Sequence, residues 1–404
     1  MSRCRILHVI NNLHLGGAET MLLRLLGRLD RSRWDPHVVS LIGGGPVAEQ
    51  LRQLGVPVIE VGMRRGIPGP MTLVRLIRCV GQVGPDLVQT WLYHSDLLGG
   101  LATRMSQSRA PVVWTLRMNG PTPALDKATT VWTARACAAL SSRLPARIVA
   151  NSQAGLQRHV ELGYDASRCQ VIPNGFETDV FQPSEEARGL IRGELGVHGK
   201  CELVGMAARW DPLKDFDTLL RSAAHWISTR PDCHVVLCGP GVTRDNTDLT
   251  RLVAAVNGPS VRHDWSSKLH LLGRRSDMPT WQASLDVAVL ASRTEGFPNA
   301  LGEAMSCGVP CVATDAGGTS EVLGPTGRLV PVGDVDALTG AVNACLDAGR
   351  DARIQEGLSA RRQIENHLGL DRMVERFEAV WDDVLGDRLR AGVTKSGTAQ
   401  KRAA

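Results

Sequence analysis

The sequence predicts an α/β protein of two doubly wound, Rossmann-like domains facing each other across a cleft. Three observations predict this class. Short apolar, β-branched runs alternate with stretches of helical periodicity along the whole chain. The apolar runs lack polar alternation, which is typical of parallel strands covered on both faces. The pattern also restarts after a polar stretch at 183–200, and 404 residues exceed what one compact core usually holds.

Seven strands are predicted in the first part of the chain. They are 6–10, 37–42, 58–61, 87–91, 112–116, 148–150 and 170–172. Apolar residues three and four apart predict helices between them, for example over 18–29, 73–83 and 95–105. These elements predict a first domain over residues 1–175.

The second part repeats the alternation. Its predicted strands are 203–207, 235–238, 269–272, 287–290, 309–313 and 328–330. They predict a second domain over 176–370, joined by a hinge, with an exposed loop inside one larger domain as the alternative. Helical spacing continues over 371–390, and we expect that helix to pack back toward the first domain. The small, weakly basic residues 391–404 predict a disordered tail.

Composition narrows the classes of function. Hydrophobic residues make up 43% of the chain and charged residues 22%, as in ordinary folded proteins. Aromatic residues are scarce at 4%, which argues against a base-stacking surface, so we expect no nucleic-acid partner. The 10 cysteines form neither a C-x2-C pair nor an array at zinc spacing. We therefore expect no metal, reduced thiols and a cytoplasmic location.

Charge is distributed unevenly. Residues 1–175 contain 20 Lys and Arg against 10 Asp and Glu, although the net charge of the whole chain is only +5. A basic first domain can attract phosphorylated ligands or anionic lipid headgroups. Scattered arginines that only solvate a surface are the alternative. The residues expected to touch the inner face of the plasma membrane are Arg64, Arg65, Arg75, Arg78 and Arg104.

Ligands of open parallel sheets bind at the carboxyl ends of the strands, so the loops that follow the strands are candidate sites. The first such loop contains Gly16 and Gly17 immediately before a helix. Paired glycines let the backbone approach a ligand, and a helix N-terminus favours an anion. The G-x-G-x-x-G fingerprint is absent, so an ordinary tight turn is an equal alternative.

A second loop follows the first strand of the second domain. It carries two cations five residues apart, Arg209 and Lys214, on either side of a proline. A planar guanidinium and a compact ammonium could clamp a diphosphate from two sides. A pair of surface cations without a ligand is the alternative.

A third loop follows strand 287–290 and reads T-E-G-F-P-N-A-L-G-E-A-M-S-C-G-V-P. Pro298 suits the first turn of a helix, and Gly308 suits its C-terminal stop. The N-terminus of this helix would face the ligand crevice, with Glu295 ahead of the helix and Glu303 inside it. Two acidic residues that only complement the helix dipole are the alternative.

These motifs, taken in order, resemble those of a known family. G-G-A-E-T at 16–20, V-I-P-N-G-F at 171–176, A-R-W-D-P-L-K at 208–214 and the E-x7-E segment at 295–303 resemble family 4 of the retaining glycosyltransferases, which have the GT-B fold. Two further segments are similar to bacterial enzymes that build lipopolysaccharide, capsule or exopolysaccharide; they are 91–100 and 112–117.

The resemblance implies roles for the matching residues. Arg209 and Lys214 would hold the donor diphosphate and stabilise it as it leaves. Glu295 would contact the donor sugar, and Glu303 would hydrogen-bond the nucleotide ribose. The other positions implied to line the donor are Gly273 and Arg274 near the nucleobase, and Gly16, Gly17, Gly296, Phe297, Asn299 and Ala300 around the sugar and the diphosphate.

One position departs from the family pattern. Many members carry a histidine after the fifth strand of the first domain, where this chain has Arg117, followed two residues later by Asn119. Arg117 could instead bind an acceptor phosphate. His94, ahead of a predicted helix cap at Ser95, is another polar candidate, and a purely structural histidine is the alternative. We therefore take His94, Arg117 and Asn119 as candidates for the acceptor side.

The resemblance implies transfer of a sugar, with retention, from a UDP- or GDP-linked donor to a lipid-linked or oligosaccharide acceptor in cell-surface polysaccharide synthesis. We expect no cofactor, because fixed cations and a helix N-terminus can neutralise the leaving diphosphate. Retention could follow same-face attack or a double displacement through Glu295. A nucleotide-sugar epimerase of the same fold and a non-catalytic sugar-nucleotide-binding protein are the alternative functions.

Overall fold

The computed structural model describes residues 3–63, 69–123, 126–197, 200–257 and 265–400. The chain divides into two compact units. Unit 1 consists of Met1–Gly175 together with Leu370–Ala404, and unit 2 consists of Phe176–Gly369. The polypeptide therefore passes from one unit to the other twice.

Unit 1 is built on a parallel sheet. Among the described residues this sheet has seven strands in the order β3-β2-β1-β4-β5-β6-β7. The strands are β1 Cys4–Ile10, β2 Trp34–Ser40, β3 Val58–Glu60, β4 Leu87–Trp91, β5 Val112–Leu116, β6 Arg147–Ala150 and β7 Cys169–Val171. All seven predicted strands are present, which confirms the doubly wound parallel class for this unit. The largest difference is in β2, which begins at Trp34 because its full length pairs with β1.

Helices cover both faces of this sheet. They are α1 Gly17–Arg28, α2 Pro46–Gln53, α3 Pro70–Val83, α4 Tyr93–Met105, α5 Ala128–Leu140 and α6 Gln153–Glu161. Each face has its own apolar core, one around Leu22 and Trp91 and the other around Val80 and Trp114. Strands buried on both sides explain why the sequence shows unbroken apolar runs.

The last helix of the chain, Leu370–Gln400, packs on unit 1. Its residues Phe377 and Trp381 are buried in the core of that unit, and Trp381 Nε1 donates a hydrogen bond of 2.6 Å to Gln89 Oε1 on β4. The helix continues to Gln400, so residues 391–400 are helical in the structure where the sequence predicted a disordered tail. Residues 401–404 lie outside the described residues.

Unit 2 repeats the architecture. In its described part a parallel sheet has the order β10-β9-β8-β11-β12-β13. Its strands are β8 Glu202–Ala207, β9 Cys233–Cys238, β10 Leu269–Leu271, β11 Val287–Leu290, β12 Cys311–Thr314 and β13 Arg328–Val330. The six strands predicted for this part of the chain are all present. Both sheets therefore confirm the predicted class of two Rossmann-like domains.

The helices of unit 2 lie on both faces of its sheet. They are α7 Glu185–Glu194, α8 Phe216–Thr229, α9 Thr247–Asn257, α10 Met278–Ala283, α11 Asn299–Ser306, α12 Thr319–Leu323, α13 Val335–Asp347 and α14 Arg350–His367, so that the final helix Leu370–Gln400 is α15. In the described part of the chain, no helix combines the length and the apolar character that a bilayer span requires.

The strand orders locate the candidate ligand sites. In unit 1 the order reverses between β1 and β4, and in unit 2 it reverses between β8 and β11. At such a switch point the loops that follow the two central strands diverge and leave a crevice at the carboxyl edge of the sheet. The loops after β8 and β11 carry the second and third motifs of the sequence analysis.

Candidate functional site

The loops after β8 and β11 meet through a lysine and a glutamate. Lys214 Nζ lies 2.5 Å from Glu295 Oε1, and the same oxygen accepts a hydrogen bond of 2.6 Å from Ser292 Oγ. The Lys214 side chain is 19% exposed and that of Glu295 is 10% exposed. Limited contact with water strengthens the attraction between these charges, so the ion pair holds both side chains in a defined position.

Local backbone structure presents Lys214. It ends a 3-10 turn, Pro212–Lys214, and Asp211 caps this turn by accepting a hydrogen bond of 2.9 Å from the Leu213 N–H. Asp211 also accepts a hydrogen bond of 2.9 Å from Arg209 Nε. One carboxylate therefore organises a loop that carries both cations.

Arg209 differs from Lys214 in its exposure. Its side chain is 57% exposed, and apart from Asp211 no ion-pair partner of it occurs among the described residues. A long, exposed guanidinium can reorient when an anion arrives, whereas Lys214 is held in place. The structure thus offers one exposed and one largely buried cation in the same loop.

Helix α11 starts directly after the Glu295 loop. Its N-cap is Pro298, which has no side-chain oxygen to accept a hydrogen bond from the first turn. Gly296, Asn299 and Ala300 are partly exposed, so their backbone can be approached from solvent. The partial positive charge of a helix N-terminus therefore lies in the same loop as Glu295.

Phe297 belongs to the core of unit 2. It is buried and stacks on Phe176, with ring centroids 6.3 Å apart. The aromatic ring therefore anchors the loop, and only the backbone of Phe297 is suited to a ligand. Helix α11 packs closely on the same ring, because a Cβ added to Gly302 would lie 2.1 Å from Phe176 Cζ. This approach positions Glu303, the next residue, which is partly exposed.

The loop after β10 contains the two residues implied near the nucleobase. Gly273 has φ +63. Its N–H donates a hydrogen bond to Val242 O and its carbonyl accepts one from Gly239 N–H, so it links this loop to the loop after β9. Arg274 is exposed. The next residue, Arg275, pairs with Glu194 and Asp277, and these hydrogen bonds raise its pKa. Arg274 is thus the arginine of this loop that faces solvent.

In unit 1, the loop after β1 carries the paired glycines. Gly16 is the N-cap of α1 and Gly17 its first residue. A Cβ added to Gly16 would lie 2.4 Å from Glu19 Oε2, so a side chain there would displace Glu19. In the same loop Asn11 Oδ1 accepts a hydrogen bond of 2.7 Å from Ser95 Oγ, which links the loop after β1 to α4.

His94 lies in the first turn of α4, at the carboxyl edge of the unit 1 sheet. It is partly buried, and this burial lowers its pKa, which favours the neutral imidazole. The prediction of Ser95 as the helix cap was wrong. Helix α4 begins at Tyr93, because its N-cap is Leu92, with φ 72, three residues before Ser95.

Arg117 lies inside unit 1. Its guanidinium carbon is 4.6 Å from the centroid of the Trp91 ring and 5.8 Å from that of Phe377, and its Nη1 donates a hydrogen bond of 2.6 Å to Asn174 Oδ1. Nε and Nη2 are buried without a hydrogen-bond partner among the described residues. Burial lowers the pKa of Arg117 to about 9. To reach an acceptor phosphate, this side chain would have to leave its pocket, whereas Asn119 in the same loop is partly exposed.

Reasoning from the sequence missed several residues of these sites. Ser292, Asp215 and Arg293 contact the Lys214–Glu295 pair or its loops, and Asn11 links two loops of unit 1. A serine three residues before Glu295 and an aspartate directly before a helix were visible signals. The partner of each, however, is decided by loops distant in sequence. In the described residues, no group of three or more His, Cys, Asp or Glu side chains could hold a metal ion.

Comparisons with known proteins agree with this architecture. Residues 15–180 match the family model described as glycosyltransferase family 4, and residues 201–348 match the one described as glycosyl transferases group 1. The fold and these matches define a glycosyltransferase. The chain carries a family 4 domain at 15–180 and a group 1 domain at 201–348, and its two Rossmann-like units have the GT-B fold.

Two relatives are similar to this chain over most of their length. The putative glycosyltransferase EpsF of Bacillus subtilis is 25% identical over 78% of this chain and 80% of its own length. The UDP-Gal:alpha-D-GlcNAc-diphosphoundecaprenol alpha-1,3-galactosyltransferase of Escherichia coli is 23% identical over 95% of this chain and 98% of its own. Both similarities extend across the two units.

Solved structures show the same fold. Anabaena Alr3699/HepE in complex with UDP-glucose superposes with a TM-score of 0.79 at 23% identity, covering 94% of this chain and 99% of that one. The sucrose-phosphate synthase of Thermosynechococcus elongatus gives a TM-score of 0.77 at 18% identity, covering 95% of this chain and 100% of that one.

Proposed function

We propose that this glycosyltransferase moves a sugar, with retention, from a UDP- or GDP-linked donor to a lipid-linked or oligosaccharide acceptor in cell-surface polysaccharide synthesis. The observation that carries the proposal is the contact between Lys214 and Glu295 at the switch point of the unit 2 sheet. A cation suited to a diphosphate and a carboxylate suited to sugar hydroxyls lie side by side there. The UDP-glucose complex of the structural neighbour and the diphosphoundecaprenol-linked acceptor in the relative's name support these substrate classes.

The donor would be bound by the loops after β8, β10 and β11. Arg209 and Lys214 would contact the diphosphate, and the first turn of α11 would add backbone N–H groups. Glu303 would accept hydrogen bonds from the ribose, and Arg274 would lie toward the nucleobase. Gly16 and Gly17 of unit 1 would allow close approach of their backbone to the diphosphate.

Transfer requires that the bond between the anomeric carbon and the diphosphate breaks. Negative charge then develops on the leaving diphosphate, and Lys214 and Arg209 would stabilise it electrostatically. Lys214 serves this purpose well because the Glu295 carboxylate fixes it before the reaction, so little reorganisation remains.

The contacts of Glu295 favour same-face attack over a double displacement. Its Oε1 already accepts hydrogen bonds from Lys214 and Ser292, and donors of this kind reduce the nucleophilicity of a carboxylate. In same-face attack an oxygen of the leaving diphosphate takes the proton of the acceptor hydroxyl. Glu295 then only orients the donor sugar. The neutral His94 and the partly exposed Asn119 would contact the acceptor, and Arg117 would support their loops from within unit 1.

Helix α3 supports a contact with anionic lipid at the inner face of the membrane. Arg75 and Arg78 are exposed on it beside Met71, which is 60% exposed, and the helix contains no acidic residue. Basic residues with apolar neighbours are typical of surfaces that bind anionic headgroups. Arg104 on α4 is also exposed, whereas Arg64 and Arg65 lie outside the described residues.

The transfer proposal is tested by substitution. Arg209→Ala, Lys214→Ala and Glu303→Ala should each abolish transfer in a screen of UDP- and GDP-sugar donors, and the fold should be preserved by circular dichroism. Arg251→Ala, at an arginine with 80% side-chain exposure on α9, is the matched control and should keep full activity. Unchanged transfer in all three site variants would contradict the proposal. Isomerisation of a donor sugar without any acceptor would instead indicate an epimerase.

The membrane proposal needs a separate measurement. Co-sedimentation with phosphatidylglycerol vesicles should fall when Arg78 and Arg104 are both changed to Glu, and it should weaken with added salt. Arg221 and Arg251, two exposed arginines of unit 2, provide the control double variant. Vesicle binding that changes neither with added salt nor in the Arg78/Arg104 double variant would exclude this surface as the lipid contact.

A further inference from the structure

Two further contacts join the loops after β8 and β11 on either side of Lys214 in sequence. The backbone N–H of Arg293 donates a hydrogen bond of 2.8 Å to Leu213 O. The side chain of Arg293 donates through Nη2 to Asp215 Oδ1 at 3.0 Å. Residues 213 and 215 are thus both bound to Arg293, and Lys214 lies between them. We call the Asp215–Arg293 ion pair and the Arg293–Leu213 hydrogen bond the loop clasp.

Asp215 has an unusual conformation for a residue other than glycine. Its φ is 46 and its ψ is 57, in the left-handed region, and among the described residues only Leu92 also combines a side chain with positive φ. Aspartate tolerates this region better than most residues because its short polar side chain can bond locally. The sharp turn directs the chain from the 3-10 turn of Lys214 into α8.

Local hydrogen bonds hold Asp215 in this conformation. Asp215 Oδ2 accepts from Thr218 Oγ1 at 2.9 Å, and Oδ1 caps the Thr218 N–H at the start of α8. Asp215 is 3% exposed, whereas the side chain of Arg293 is 52% exposed. The Asp215 carboxylate is buried and caps α8, so its position is fixed. Its ion pair with Arg293 therefore restrains the loop that carries Glu295.

We propose that Asp215 and Arg293 are positioning residues that hold Lys214 against Glu295 and thereby set the contact of Lys214 with the donor diphosphate. The proposal rests on the function proposed above. The ion pair also raises the pKa of Arg293, so this guanidinium stays charged. Neither residue needs to touch the donor, because both act on the backbone at each side of Lys214.

The test measures binding of UDP, GDP and UMP by calorimetry in the full chain. Arg293→Met removes the ion-pair half of the clasp at an exposed position and leaves the backbone hydrogen bond to Leu213 O in place. Asp215→Asn keeps a capping oxygen but removes the charge. Arg221→Met is the matched control, since Arg221 is 57% exposed and pairs at 2.8 Å with Asp217 on the same helix α8. Lys214→Met, alone and combined with Arg293→Met, completes the set.

We expect Arg293→Met and Asp215→Asn to weaken binding of the preferred nucleoside diphosphate roughly 3- to 30-fold, within the usual range for coupled neighbours. UMP binding should change much less when UDP is the preferred ligand, because UMP lacks the second phosphate. Arg293→Met should add nothing in the Lys214→Met background, since its effect passes through Lys214. Arg221→Met should bind all three nucleotides as the unaltered protein does.

Other outcomes overturn the proposal. An equal loss from Arg293→Met with and without Lys214 would show that Arg293 contacts the nucleotide directly. Unchanged diphosphate binding in both variants would show that the Asp215–Arg293 ion pair does not position Lys214. If Lys214→Met itself leaves both UDP and GDP binding unchanged, the proposed donor site is wrong. This result distinguishes failure of the proposed function from failure of the clasp proposal.

Discussion

Lys214 Nζ lies 2.5 Å from Glu295 Oε1, although 81 residues separate them in the chain. The contact exists because β8 and β11 are neighbours in the sheet, so the loops at their carboxyl ends meet. It brings the cation of one motif to the carboxylate of another. The catalytic proposal depends on this relationship.

Substitutions of Lys214 and of Glu295 should lower kcat by different amounts. Lys214→Met should lower kcat about 100- to 1000-fold, as loss of one preorganised electrostatic contact usually does. Glu295→Gln should cost about tenfold, because an amide oxygen still accepts from Lys214 and Ser292 but without charge assistance. Steady-state kinetics measure both. Complete inactivation by Glu295→Gln, with a glycosyl adduct on Glu295 found by mass spectrometry in the unaltered enzyme, would instead establish a double displacement.

Gly302→Ala should destabilise unit 2 by about 1–3 kcal/mol, because the new Cβ would overlap the Phe176 ring and force α11 to shift. Gly340→Ala is the matched control within helix α13, where a Cβ meets nothing within 4 Å. That change should stabilise the protein by about 0.5–1 kcal/mol. Urea denaturation checks both values. Equal effects of the two substitutions would show that Phe176 does not constrain α11.

Arg117 and Asn174 should differ in their effect on stability. Asn174→Ala removes the acceptor of Arg117 Nη1 and should cost about 1.5–3 kcal/mol, because it breaks a buried hydrogen bond to a charged group. Arg117→Met should cost much less, since it also removes two buried nitrogens without partners among the described residues. Thermal unfolding gives the ranking. A larger loss for Arg117→Met would mean that the aromatic contacts with Trp91 and Phe377 dominate.

Unit 1 should lose stability in mild acid. Burial lowers the pKa of His8 to about 3 and that of His159 to about 4, from 6.5 in the unfolded chain. Between pH 6.5 and these values, the unfolded state therefore binds more protons than the folded state. The free energy of unfolding is thus highest above pH 6.5 and decreases as the pH falls below it.

The pH dependence can be assigned to one residue. His8→Asn should reduce the loss of unfolding free energy between pH 7.5 and pH 5, measured by urea denaturation at both values. Exposed His225 provides the control, and His225→Asn should leave the slope unchanged. A His8→Asn slope equal to that of the unaltered protein would contradict the assignment.

Much of the fold was predictable from local patterns. All thirteen strands in the described part of the chain lie where apolar runs predicted them, because a strand buried on both faces must be apolar at consecutive positions. Helix starts were less predictable. Ser95 suggested a cap by residue type, but the N-cap is Leu92, whose N–H donates a hydrogen bond to Thr115 O on the neighbouring strand β5.

The candidate site was predictable in its residues and not in its contacts. Arg209, Lys214, Glu295 and Glu303 were identified from loops that follow strands. Their arrangement was not, since nothing local links Arg293 to Asp215 or places Ser292 beside Glu295. Arg117 shows the converse. Its charge suggested a ligand contact, whereas packing between Trp91 and Phe377 buries it.

The sequence by itself determined the order of strands and helices, the loops that carry charge and the glycines that permit close approach, since each follows from residues near one another in the chain. The tertiary structure alone decided which charges meet, which are buried and which remain open to a donor. The physical reason is that contacts between loops depend on strand order and core packing, which join residues far apart in the sequence.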